Sequence, residues 1–287
     1  MILPSPGDGF GWMETRWGPA LVCHPLAQWA RHAFTSRPWG LGLSGAPDGS
    51  EAWRHIAETM EVDSSRLRRV RQVHGAAVVE HRAAGGVDGI PDGDIIICDD
   101  PTAAIAVQAA DCIPLLLADV RTGCVAAAHA GWRGLSLRVP LVAVEAMVGR
   151  FGSRAADILA AIGPSIGPCC YEVGEDVAAR FEAEGFSERE RRHWFQARPS
   201  GLDTNPPMRP TANRDRSGRR FMDLWAVARD QLMQAGIAPD RIRAARLCTA
   251  SHPDAFCSYR RDGAAAGRLA AVIRPSSGSR RPEDARL

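Results

Sequence analysis

Between residues 94 and 162 the chain is a series of unbroken apolar runs with short polar breaks. The runs at 94–98, 103–108, 113–118, 124–128 and 157–162 lack the apolar–polar alternation of a half-exposed strand. They predict strands covered on both faces. Arg121-Thr122-Gly123 predicts the turn between two of them. Helical spacing takes over elsewhere. Trp53, Ile56 and Met60 share one face of a helix over 51–60. Leu137, Leu141, Val144 and Val148 do the same over 135–151, closed by Gly152, provided that Pro140 lies in the first turn. A helix is predicted over 174–184, and another over 221–234 with Phe221, Leu224, Trp225, Ala228 and Leu232 aligned and Gly236 beyond its end. Shorter strands are expected at 20–23, 32–37, 76–79, 243–248 and 269–273, and a short helix at 64–71. Residues 163–171 read as a rigid Gly/Pro loop, and 196–220, polar with four prolines, as a mobile one. No repeat and no linker is visible, so residues 1–275 are expected to form one catalytic domain, with 276–287 a disordered tail.

Composition narrows the possibilities. A net charge of +2, with arginines mostly scattered, gives no basic surface for nucleic acid. No apolar stretch approaches the roughly 18 residues of a membrane span. The first eleven residues carry Pro and Gly rather than a secretory apolar run. A cytoplasmic protein with reduced thiols is therefore expected, although its eight cysteines would permit disulfides. All 35 basic residues are arginine. Schiff-base and phosphate-loop lysine chemistry is thereby excluded, and any phosphate must be held by arginine or by backbone N–H groups.

Three segments offer chemistry: Gln72-Val73-His74-Gly75, Ala110-Asp111-Cys112 and His129-Ala130-Gly131-Trp132-Arg133-Gly134. His74, Cys112 and His129 make a His₂Cys set suited to a zinc that keeps one position open, where it would bring the pKa of water toward neutrality. Asp111 points the opposite way in an extended segment and is the weaker ligand. Gly131 and Gly134 would let backbone and ligand approach closely. The same residues also read without metal, with Cys112 a nucleophile activated by His129 or His74. Arg133, Arg37 and Arg260 are candidates for gripping an anionic substrate, although each could equally pair with a carboxylate. Tyr171 and Tyr259 could stack on a base or donate a hydrogen bond. Cys248 and His252 could form a further thiol–imidazole pair.

Taken in order, these motifs resemble one family. With the three segments come Ala161-Ile162-Gly163-Pro164-Ser165-Ile166-Gly167, Tyr171-Glu172-Val173-Gly174, Cys248-Thr249 and Ser258-Tyr259-Arg260-Arg261. Together they are similar to the laccase-like multicopper polyphenol oxidases, also described as YfiH-type purine nucleoside phosphorylases or peptidoglycan editing factors. The resemblance spans roughly residues 30–274. It implies an α/β fold of mixed β-sheets flanked by helices, related to cysteine-hydrolase-like toxins. It implies zinc, or alternatively copper, on His74, Cys112 and His129. It also implies phosphorolysis of adenosine, inosine, guanosine and methylthioadenosine, with adenosine deamination. Phenol oxidation and editing of cell-wall precursors are implied as further activities. The chain departs from the family pattern at 38–44, where a Gly-Gly-Val-Ser run is usual, at Trp53-Arg54 in place of an Asn-Arg pair, and at Cys257 in place of Phe.

A zinc-dependent enzyme acting on nucleoside and phosphate is the expectation from residues and resemblance together. A metal-free Cys–His hydrolase or amidase is the rival. Copper oxidase chemistry has the weakest basis, because oxygen reduction at a multicopper centre needs many more His ligands than this set contains.

Overall fold

The computed structural model describes residues 2–42, 50–83, 89–200, 203–208 and 218–276. Two six-stranded mixed sheets form its centre. In the first sheet the strands lie in the order Phe10–Met13, Ala20–Cys23, Ala30–Thr35, Leu269–Pro275, Ala104–Ala109, Leu67–Arg69. In the second the order is Ile242–Ala244, Ile158–Ile162, Ile113–Asp119, Val125–Ala130, Ile95–Cys98, Val78–His81. A small third sheet joins Glu172–Val173, Arg220–Met222 and Phe195–Gln196.

The period-two geometry of the strands explains the unbroken apolar runs. Phe34, Ile105, Val107 and Ala271 of the first sheet share a buried cluster with Ile96, Leu116, Ala118 and Ala127 of the second, so the sheets pack face to face. Their neighbours in sequence point outward and are covered too. Ala104, Ala106 and Val272 lie under Trp53 and Ile56 of the Ser50–Thr59 helix and Met60 just beyond its end. Ile95, Leu115, Leu117 and Ala128 lie under the Val139–Phe151 and Leu224–Gln234 helices. The result is helix, sheet, sheet, helix, in agreement with the expected mixed α/β class. The register sets Leu115 against Ala128 and Leu117 against Ala126, large against small, on the helix-covered face.

Several boundaries differ from the sequence-based expectation. The helix expected over 135–151 is two, Trp132–Ser136 and Val139–Phe151, divided at Arg138, which takes a left-handed φ of 59°. Pro140 cannot donate into a continuous ladder and sits in the first turn of the second helix. Residues 64–71 form only a 3₁₀ turn before Leu67–Arg69 pairs in parallel with Ala104–Ala109; sheet pairing overrides the local helical bias. Phe221 and Met222 belong to a strand, and the following helix starts after Asp223, whose carboxylate accepts from the Ala226 N–H. The strand expected over 243–248 is Ile242–Ala244. Within 196–220, residues 203–208 are pinned: buried Asn205 donates to the Arg246 carbonyl and accepts from the Cys248 N–H. Residues 201–202 and 209–217 of that stretch, residues 43–49 of the early segment, and all of the expected tail except Ser276 lie outside the described residues. No helix among the described residues is long and apolar enough to cross a membrane.

Candidate metal and substrate site

Two of the three proposed ligands sit where the chain crosses between sheets. His74 lies on the crossing from Leu67–Arg69 to Val78–His81, and Cys112 on the crossing from Ala104–Ala109 to Ile113–Asp119. His129 is near the end of its strand, paired with Pro114 two residues beyond Cys112. The three meet at one end of the sandwich. One ligand atom from each lies within 4.8 Å of the others, and the two imidazole rings stand nearly perpendicular with centroids 4.9 Å apart. His129 is buried, Cys112 half-buried and His74 exposed, so the set opens to solvent on one side.

The carboxylate of Asp94 holds this arrangement. It is fully buried, accepts from the backbone N–H groups of Val73, His74 and Gly75, and takes the His129 Nδ1–H at 2.8 Å. The left-handed φ of 59° at His74 turns those three N–H groups toward one anion. Burial opposes ionisation of Asp94, but hydrogen bonds from His129 and the Gly75 N–H outweigh it and hold the group below the usual carboxylate range. With Nδ1 engaged, His129 presents Nε2 toward Cys112. Burial alone would raise the Cys112 thiol. The facing His129 and His74 overcome it and bring Cys112 to about 6, while Cys112 and Asp94 raise His129 to about 9 against its own burial. Without metal these opposite shifts favour a thiolate beside an imidazolium.

The residues fit zinc. The donors are one thiolate and two imidazoles, close enough together to share one ion with bonds of about 2.0–2.3 Å. The Asp94–His129 hydrogen bond is the carboxylate–imidazole support that zinc ligands commonly have. A Cβ on Gly131 would stand 2.6 Å from Cys112 Sγ, so the bare backbone there makes room for the thiolate. A multicopper centre has no comparable basis: the described residues contain one other potential metal-ligand group, and it has no His.

A cavity of about 660 Å³ adjoins the three proposed ligands, large enough for a nucleoside with phosphate. Arg133, Arg260, Tyr171 and Tyr259 line it, as do Arg71, Gln72 and Arg268. The Arg133 guanidinium lies over the Trp132 ring at 4.3 Å, and that of Arg260 over Tyr171 at 5.1 Å. Neither has a carboxylate partner among the described residues; Arg260 donates instead to the carbonyls of Glu172 and Cys170. Arg37 is different. It pairs with Asp262 and donates to the Pro253 carbonyl, away from the cavity lining. Burial, reinforced by the nearby Cys112 thiolate, pushes the Tyr171 phenol up, so it stays a neutral donor.

Asp111 does turn away from the ligands. Its carboxylate accepts from the Thr249 hydroxyl and the Arg260 N–H, each at 2.6 Å, and so ties the late Cys248-Thr249 and Ser258–Arg261 segments to the Cys112 crossing. The Cys248–His252 pair that the sequence allowed is not formed: Cys248 faces Cys169 and Cys170, and His252 meets Asn205. Asp94, Gln72 and Arg268 have roles here that sequence reasoning missed. The only signal for Asp94 was its place at the head of the Ile95–Cys98 run.

Comparison with known proteins agrees with the fold and the motif order. The family described as multi-copper polyphenol oxidoreductase laccase matches residues 46–276. A Deinococcus radiodurans protein named purine nucleoside phosphorylase is 36% identical over 84% of this chain and 88% of its own length. A Streptomyces coelicolor protein with the same name is 34% identical over 85% and 95%. The crystal structure of YlmD from Geobacillus stearothermophilus superposes with a TM-score of 0.75 at 27% identity, covering 94% of this chain and all of that one. YfiH from Bacillus licheniformis gives 0.74 at 25% identity, covering 90% and 96%. Fold, motif order and relatives together place this chain in the laccase-like multi-copper polyphenol oxidoreductase family, whose similar members carry the name purine nucleoside phosphorylase.

Proposed function

We propose that residues 1–275 form one catalytic unit that cleaves purine nucleosides with phosphate, with zinc held by His74, Cys112 and His129. The observation that carries the reading is the meeting of this His₂Cys set with a cavity flanked by two arginines that have no carboxylate partner among the described residues. When bound, zinc supplies concentrated positive charge that polarises oxygen or nitrogen at the open side of the set. The chain's own residues do the rest. Arg133 and Arg260 are positioned to hold phosphate. Tyr171 and Tyr259 offer aromatic faces to the base. Phosphate oxygen forms a bond to the ribose anomeric carbon as the bond from that carbon to the purine nitrogen breaks, and the bond's electron pair leaves with the base. Fixing both reactants in one cavity lowers the entropic barrier to this step. Deamination of adenosine belongs to the same proposal: water oxygen replaces the amino group and ammonia leaves.

The test is phosphate-dependent release of free base and ribose 1-phosphate from adenosine, inosine, guanosine and methylthioadenosine, with ammonia measured in parallel. Activity is expected in the zinc-loaded protein and is expected to be abolished in Cys112→Ala. A folded Cys112→Ala protein with full activity overturns the proposal. The Cys112–His129–Asp94 line also supports a second reading, a thiol hydrolase of cell-wall precursors. That reading predicts inactivation by thiol alkylation and indifference to chelators.

A further inference from the structure

A second group of soft donors lies behind the cavity wall. The Gly/Pro loop after the Ile158–Ile162 strand runs beside the Cys248 segment. Ser165 bridges in parallel to Cys248, with the Ser165 N–H on the Leu247 carbonyl and the Thr249 N–H on the Ser165 carbonyl. This pairing brings Cys169, Cys170 and Cys248 together, with their three Sγ atoms within 4.8 Å of one another and all three residues buried. Packing alone would leave such thiols among apolar neighbours. Here backbone donors are aimed at two of the sulfurs, and a hydroxyl lies beside the third. The Gly167 N–H donates to Cys248 Sγ at 3.2 Å and the Met208 N–H to Cys170 Sγ at 3.3 Å. The Ser251 hydroxyl stands 3.5 Å from the sulfurs of both Cys169 and Cys170. A donor aimed at sulfur favours thiolate over thiol. The Cys248 N–H is fixed by buried Asn205, so the trio is held in place from the other side as well.

We propose that Cys169, Cys170 and Cys248 form a metal site separate from the His74, Cys112 and His129 set, and that it takes a soft monovalent cation, cuprous copper. The donor chemistry selects the ion. The set is sulfur only, and soft thiolates favour Cu(I). Structural zinc sites nearly always hold four ligands, whereas this set has three. Copper enters as Cu(I) and remains Cu(I). Copper–sulfur bonds replace S–H bonds, the displaced protons leave to solvent, and no electron is transferred. The Cys170 carbonyl lies within reach of Arg260 Nη1, so the site stands directly behind the Tyr171–Arg260 wall of the cavity.

The test uses the full-length Cys112→Ala protein, in which the first site is disabled, so that this site stands or falls independently of the nucleoside reading. The reduced protein is loaded anaerobically from a glutathione-buffered Cu(I) pool, desalted, and measured for copper content and X-ray absorption at the copper edge. The expected result is one copper per chain with a sulfur-only coordination shell, lost when Cys170→Ser and Cys248→Ser are added. Failure to retain copper, nitrogen or oxygen in the first shell, or undiminished copper in the serine variant overturns the proposal. So does preferential retention of zinc when both ions are offered. If the serine variant does not fold, the coordination shell of the Cys112→Ala protein still decides.

Discussion

At Gly131 one added methyl group separates the requirements of the fold from those of the site. Its φ of −79° and ψ of −175° are open to any L-residue, so Gly131→Ala carries no backbone strain. The new Cβ would stand 2.6 Å from Cys112 Sγ and 3.6 Å from His74 Cδ2. The thiolate must rotate away from its partners. Zinc affinity is expected to fall by roughly tenfold or more, with the melting temperature of the metal-free protein nearly unchanged. Competition titration against a zinc indicator, beside a thermal scan, checks this; unchanged affinity would mean that Cys112 is not a ligand. Asp94→Asn probes the support of the opposite ligand. The amide keeps one acceptor but faces the surrounding N–H groups with a donor, and His129 loses its carboxylate partner. Zinc affinity should drop by about 10–100-fold, with about 1–3 kcal/mol lost from stability. If stability falls and affinity does not, Asp94 only organises the His74 loop.

Among the elements, the Ala30–Thr35 strand contains a titratable group that links sheet pairing to pH. His32 Nε2 accepts the Cys23 N–H at 2.9 Å, and Nδ1 donates to the Ala30 carbonyl. Only the neutral ring can do both. Burial takes its pKa from 6.5 to about 4, against the Ala30 carbonyl. On acidification the unfolded chain binds this proton first. Stability is therefore full above pH 6.5 and declines toward pH 4, by about 3 kcal/mol from this group. Urea midpoints across that range should fall more steeply in the native protein than in His32→Leu, which starts lower because the Cys23 N–H loses its acceptor. Equal slopes would remove His32 as the cause. The strands themselves were legible because complete burial leaves unbroken apolar runs, as at Ile113–Asp119. The meeting of His74, Cys112 and His129 as candidate ligands was legible through their residue types and motif order. Asp94 was not, because heading the Ile95–Cys98 run is all that separates it in sequence from Asp92, Asp99 or Asp100; only folding places it under three N–H groups and an imidazole. Cys169 and Cys170 were visible as a pair, but their partner Cys248 comes from a distant segment that sheet geometry alone brings near. For Arg37 the residue type suggested an anion site, and the Asp262 carboxylate takes its charge instead.

For the whole molecule, the proposed zinc would act as a fastener as well as a catalyst. Its proposed ligands come from two of the crossings between the sheets and from the end of a central strand of the second sheet. An ion that binds only this folded arrangement stabilises it by mass action, by about 2.7 kcal/mol when free zinc is a hundredfold above its dissociation constant. For a chain of this size that corresponds to roughly 4–5 °C in melting temperature. Chelation of the zinc-loaded protein is therefore expected to lower its melting temperature by that amount and to abolish nucleoside cleavage, and added zinc should restore both. Cys112→Ala should melt at one temperature with or without chelator. A native protein whose activity survives complete removal of zinc would leave the thiolate–imidazolium pair of Cys112 and His129 as the working chemistry of the site. An unchanged melting temperature with activity lost would mean that the metal serves catalysis while the sheets hold together without it.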